Sequence, residues 1–196
     1  MVSLNGVVSA VVLFYGILPL GTRRKADYTL FKPRAHGAAQ PIKRVTIMKI
    51  WVDGDACPKP IKEILFRLAD RVQITVVFVA NQWLHLPQSN FIEMIQVENG
   101  PDIADDKIAE FCVEIDLVIT ADIPLAARIV KKGAIALDPR GTLYDKSNIG
   151  QKLSMRDFMD ELRGSGVETG GPSSFGHKER QNFANALDKI IAQRKL

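Results

Sequence analysis

Val72 to Ala80 reads Val-Gln-Ile-Thr-Val-Val-Phe-Val-Ala, a near-continuous apolar and largely β-branched run. A run of this kind offers no polar face to water, so it reads as a strand buried on both sides of a sheet. Such a strand needs helices above and below it, and the flanking sequence supplies them. Residues 58–70 place Ile61, Ile64, Leu65 and Leu68 at i, i+3, i+4 and i+7, a helix with Pro58 and Pro60 tolerated in its first turn.

The same alternation continues along the chain. Residues 48–52 read as a strand, 81–90 as a loop and 91–97 as another strand. Residues 102–114 suit a helix that turns Ala104, Ile108, Phe111, Cys112 and Ile115 inward. Leu117 to Thr120 is a short buried strand; the helix 122–132 stops at Gly133, and Ala134 to Leu137 is the next strand. After Asp138-Pro139-Arg140-Gly141 a helix is expected over 154–163, with Ser154 as its N-cap. A Gly/Ser-rich loop, 164–176, is expected as a linker or a lid; the closing helix puts Phe183, Leu187, Ile190 and Ile191 on one face. Strands alternating with helices at this spacing predict a single three-layer α/β domain over 48–196, its mostly parallel sheet covered on both faces.

Charge narrows the partners. The 196 residues carry a formal net charge of +4, with 26 Lys/Arg and 22 Asp/Glu. Residues 1–47 hold seven of the basic residues and one acid, Asp27, which leaves 19 basic and 21 acidic residues in 48–196, a net of −2. No global basic field argues for nucleic acid, so any such binding needs local contacts or a bridging cation. Val7 to Leu20 is apolar but shorter than the roughly 20 residues of a membrane span. It lacks the basic n-region and cleavage site of a secretory signal. Residues 1–47 therefore read as an extension that is disordered or spurious, with Met48 as the working start; a weak membrane anchor with a linker is the alternative, and no membrane association is expected for 48–196. Cys57 and Cys112 form neither a disulfide framework nor a zinc pattern. Cys57 reads as a small residue in a tight turn, although a thiol at a helix N-terminus can be acidified.

The chemistry lies in the carboxylates. Asp53-Gly54-Asp55 ends the first strand, and side chains at i and i+2 project to the same side. Hard divalent cations prefer such oxygen ligands together with water and substrate phosphate, so the pair suggests metal-assisted phosphate chemistry. In an open α/β sheet ligands bind beyond the carboxyl ends of the strands. Asp122, after strand 117–120, is predicted at that edge, as is Asp102-Ile103-Ala104-Asp105-Asp106 at a helix start. At about 100° per residue, Asp105 falls near the edge of the buried face and Asp106 points away from it. Asp102 sits where the chain is still emerging. Capping is the alternative role for Asp122, and Asp102 and Asp105 equally suit the positive end of a helix dipole. A cluster of carboxylates would repel strongly without a cation.

Ile50 to Pro58, Val79-Ala80-Asn81, Gly100 to Asp105, Val118 to Ala126, Pro139-Arg140-Gly141 and Gly170-Gly171-Pro172 together resemble the YaiI/YqxD family of uncharacterised bacterial proteins. The resemblance runs from Met48 to about residue 193. One departure is Gly54, where the family usually has Ala; another is Asp138, where Asn is common. The family is similar to PIN-like domains, whose acidic clusters bind Mg²⁺ or Mn²⁺ and cleave nucleic-acid phosphodiesters. The resemblance thus implies a PIN-like, cytoplasmic, metal-dependent nuclease acting on RNA or another nucleic acid. Asp53, Asp55, Asp105 and Asp122 would be its catalytic metal ligands, and Asp102 an accessory ligand.

Asn81, Thr120 and Arg140 are candidate substrate contacts at the same edge, with turn, strand and surface roles as their ordinary alternatives. His177, Lys178 and Arg180 offer a basic patch with Arg156 and Arg163, or a solvated face. Two other functions fit the pattern less well. A haloacid-dehalogenase-type phosphatase also uses a strand-end Asp-x-Asp, but Ala56-Cys57-Pro58 replaces the residues that normally follow and no catalytic Lys motif is evident. A non-catalytic nucleic-acid or protein-binding module could keep the same fold.

Overall fold

A computed structural model describes residues 48–166 and 174–194. The expectations for 1–47 lie outside these residues, as does most of the Gly/Ser loop. Eleven elements follow in order: β1 (Ile50–Asp53), α1 (Lys59–Val72), β2 (Val76–Ala80), β3 (Ile92–Gln96), α2 (Ile103–Phe111), β4 (Leu117–Ile119), α3 (Ile123–Lys131), β5 (Ile135–Leu137), β6 (Leu143–Tyr144), α4 (Ile149–Gly164) and α5 (His177–Arg194). The six strands form one sheet in the order β3-β2-β1-β4-β5-β6. All pairings are parallel except β5 with β6. The α/β reading with a mostly parallel sheet therefore holds.

Alternation along the strands divides the core in two. Ile50, Val52, Val76, Phe78, Leu117 and Ile119 face α1 and α5 and pack with Ile61, Leu65, Phe183 and Leu187. Trp51, Val77, Val79, Val118 and Ala136 face the other way, against Ile108 of α2 and Leu125 and Ile129 of α3. Each fully buried Leu, Ile or Phe contributes about 1.5–3 kcal/mol relative to exposure, so these two apolar layers hold the helices to the sheet. α4 packs on α3 and buries none of its own residues.

Several boundaries differ from the sequence expectation. Val72 ends α1 and Gln73 follows with φ 55°, a left-handed reversal, so the strand starts at Val76 rather than Val72. α2 stops at Phe111 because Cys112 is extended, and Phe111, expected inside, is half exposed and stacks on Trp51 at 6.1 Å. α4 begins at Ile149, so Ser154 is no N-cap; its hydroxyl donates to the Gly150 carbonyl inside the helix. Strand β6, absent from the sequence reading, forms because the Pro139-Arg140-Gly141 turn folds the chain back on β5. Gly141 (φ 91°) is needed there: a Cβ would meet the Asn182 backbone carbonyl carbon at 2.6 Å.

The sequence reading also passed over Asp116. It is 2% exposed at the amino end of β4, and its carboxylate accepts from Lys49 N–H (2.9 Å), Trp51 Nε1–H (3.0 Å) and Val113 N–H (3.0 Å). Three donors stabilise the buried charge and tie β1 to β4. Asp116→Ala leaves those donors unpaired and is expected to lower the unfolding free energy by about 3 kcal/mol in urea titrations. Unaltered stability in that variant would remove Asp116 from the set of structural anchors.

Candidate active site at the carboxyl edge of the sheet

Order β2-β1-β4 makes the gap between β1 and β4 the point where the chain winds outward in both directions. Loops leaving adjacent parallel strands diverge there and open a crevice. Asp53 is the last residue of β1 and shares a face with Trp51, so it points into the α2–α3 layer. It is 8% exposed. Its Oδ1 accepts from Ala56 N–H at 3.3 Å and its Oδ2 from the Thr120 hydroxyl at 3.4 Å. Thr120 Oγ1 in turn accepts from Asp122 N–H at 3.0 Å. A single hydroxyl thus couples the end of β1 to the turn after β4.

Asp122 occupies the N-cap position of α3, and Asp102 that of α2, yet neither side chain makes a capping hydrogen bond. The capping alternative for Asp122 is therefore not realised. Asp122 instead lies within hydrogen-bonding reach of Asp105. Burial first, then the hydrogen bond and charge of Asp122 and the charges of Asp53 and Asp102, push the Asp105 carboxyl up to about 7. Asp53 is also raised, mainly by burial and further by the charges of Asp55 and Asp122. Asp106 points out, as the helical phasing required, and pairs with Arg128 at 2.7 Å.

Asp55 stands apart. β1 ends at Asp53, so Asp55 belongs to the following turn, and the strand rule that aligned the two side chains no longer governs it. Its Oδ2 accepts from Asn81 N–H at 2.8 Å, joining that turn to the end of β2. Asp53, Thr120, Asp122 and Asp105 thus converge, with Asp55 and Asp102 at the rim. Among the described residues, no three His, Cys, Asp or Glu side chains are placed as a set that could hold a metal ion.

Other candidates fall elsewhere. Arg140 follows β5, two strands from β1, and its guanidinium lies 5.8 Å from the Phe175 ring centre. Asp138 accepts from Arg140 N–H at 2.6 Å and hydrogen-bonds Tyr144, whose hydroxyl is pushed up to about 12, chiefly by burial. The added acid thus serves its own turn. Burial pushes the Cys57 thiol up to about 12, the opposite direction from an acidified nucleophile. The expected basic patch divides. His177 and Arg180 line a groove with Arg67 of α1, whereas Arg156 and Arg163 lie on α4 and pair with Asp160.

The carboxylate crowding has a measurable sign. A folded-state value near 7 against an ordinary 3.8 means that the folded chain holds an extra proton on Asp105 between those limits. Stability then falls as pH rises through that window, because the unfolded chain has already released the proton. In EDTA, the wild-type Tm is expected to drop from pH 5 to pH 8. Asp105→Asn flattens that slope and raises Tm at pH 8 by roughly 2–4 °C. A variant with the wild-type slope would show that Asp105 does not titrate against its neighbours.

Comparisons with known proteins agree on what this chain is similar to. The UPF0178 protein of Pseudoalteromonas atlantica is 58% identical over 147 residues, covering 75% of this chain and all of that protein. The one from Proteus mirabilis is 55% identical over 148 residues, covering 76% and 98% of the two chains. One from Shewanella baltica is 60% identical over 145 residues, covering 74% and 97%. No solved structure matches the chain. Among the described residues no helix is long and apolar enough to cross a membrane. The model of the uncharacterised YaiI/YqxD family matches residues 51–193, and the chain belongs to that family.

Proposed function

We propose that this chain is a divalent-cation-dependent phosphodiesterase acting on nucleic acid, with RNA as the first substrate to test. Asp53, Asp105 and Asp122 would hold Mg²⁺ or Mn²⁺, with Asp55 and Asp102 completing the acidic rim. The contact between Asp105 and Asp122 carries this reading. Both belong to helix N-termini, Asp122 makes no capping bond to its own helix, and they meet beside the buried Asp53. Below about pH 7 a proton on Asp105 would relieve the crowding; a hard cation would relieve it too and suits an all-oxygen donor set. The described side chains do not form such a set as they stand, so binding requires the carboxylates to move.

When bound, such a cation activates a water and stabilises the leaving oxygen of a phosphodiester. The protein's part is positional. Thr120 holds Asp53 against the turn of Asp122, and Asp55 fixes Asn81 at the end of β2. Burial keeps the Asp53 carboxylate poorly solvated, which strengthens its interaction with any cation placed beside it. An acidic edge on a mostly parallel sheet also supports the PIN-like resemblance, and a cytoplasmic location goes with that reading.

Calorimetric titration of the full chain with Mn²⁺ and Mg²⁺ tests the proposal, followed by hydrolysis of single-stranded RNA and DNA. Saturable binding is expected, with proton release below pH 7, falling at least tenfold in Asp53→Asn/Asp122→Asn together with any hydrolysis. Absence of binding by the wild type would overturn the reading. Binding without hydrolysis on a broad substrate panel would favour a non-catalytic binding module, and an aspartyl-phosphate on Asp53 would favour the phosphatase.

A further inference from the structure

Trp83 is 68% exposed on the loop that leaves the carboxyl end of β2. It is the most exposed large apolar side chain among the described residues. Its position is set from both sides. Two residues before it, Asn81 donates its N–H to Asp55 and accepts from Gln96 Nε2 at 3.2 Å. On its other side, Leu84 donates its N–H to Met94 Sδ at 3.5 Å and packs over Gly54, where an added Cβ would lie 2.8 Å from Leu84 Cδ1. The backbone around Trp83 is thus fastened to Asp53-Gly54-Asp55, while the indole stands in solvent.

We propose that Trp83 is a stacking platform for an unpaired nucleobase, which makes single-stranded nucleic acid the substrate class of the carboxylate site. This rests on the phosphodiesterase reading and deepens it. Residues 48–196 carry 19 basic and 21 acidic residues, so no overall positive field draws a polyanion to this edge. In this proposal affinity comes from a bridging cation and from an uncharged contact, which indole–base stacking supplies. A duplex keeps its bases stacked on one another, so only a splayed base meets the ring. Binding through stacking also depends weakly on salt, unlike binding through Lys and Arg.

The test uses the full chain and a labelled single-stranded oligonucleotide with uncharged methylphosphonate linkages, which neither suffers repulsion from the acidic edge nor is hydrolysed. Fluorescence anisotropy gives affinity, and tryptophan emission reports the contact, since Trp51 is buried and bonded to Asp116. Binding is expected to quench emission, to change little with salt, to weaken about tenfold in Trp83→Ala and to persist in Trp83→Phe. The exposed position keeps both variants folded, which circular dichroism checks. No binding, or equal binding by Trp83→Ala, overturns the inference, as does a self-association that Trp83→Ala abolishes. Failure of hydrolysis with Mn²⁺ alongside Trp83-dependent binding would sink the phosphodiesterase reading and leave the stacking site. Hydrolysis of natural RNA unaffected by Trp83→Ala would do the reverse.

Discussion

Parallel pairing of β1 with both β2 and β4 is the constraint from which the remaining geometry follows. It makes β1 a central strand, buried on both faces, with its carboxyl end at the point where the connections diverge. Helices α2 and α3 then deliver their N-termini to one side of that point. Their first turns carry Asp102, Asp105 and Asp122. Any residue at those positions would be brought close to Asp53 by the topology alone. That all of them are acidic is the chemical content added by the sequence.

The two ends of the β1–β4 pair treat a buried carboxylate in opposite ways. At the amino end, Asp116 accepts three N–H groups and its charge is matched by donors. At the carboxyl end, Asp53 accepts a long bond from one backbone N–H and another from the Thr120 hydroxyl, and further acids crowd it. The first arrangement stabilises the fold. The second stores unfavourable charge that a cation or a proton relieves, and such stored cost at a crevice is the pattern expected of a working site.

Much of this was legible in the sequence because it rests on short-range patterns. Continuous β-branched runs marked the buried strands, the i, i+3, i+4 spacing marked α1 and α5, and helical phasing separated Asp105 from Asp106. What escaped depends on contacts far along the chain. Asp116 is satisfied by Lys49 and Trp51, more than sixty residues away, and nothing near it in sequence signals that. α4 buries no residue, so no apolar period marks its start. β6 is two residues long and exists through its turn and its partner strand. Trp83 lies in a stretch readable only as a loop, and its place beside the acidic turn comes from the Asn81–Asp55 hydrogen bond and from Leu84 packing on Gly54.

A crystal structure of the full chain soaked in Mn²⁺ would test the central claim most directly, through the anomalous signal of the cation. The account predicts one strong peak at the ends of β1 and β4, about 2.2 Å from carboxylate oxygens of Asp53, Asp105 and Asp122, with Asp105 turned from Asp122 toward the ion. An empty edge in crystals that bind Mn²⁺ elsewhere, or Asp105 still hydrogen-bonded to Asp122 at saturating cation, would contradict it.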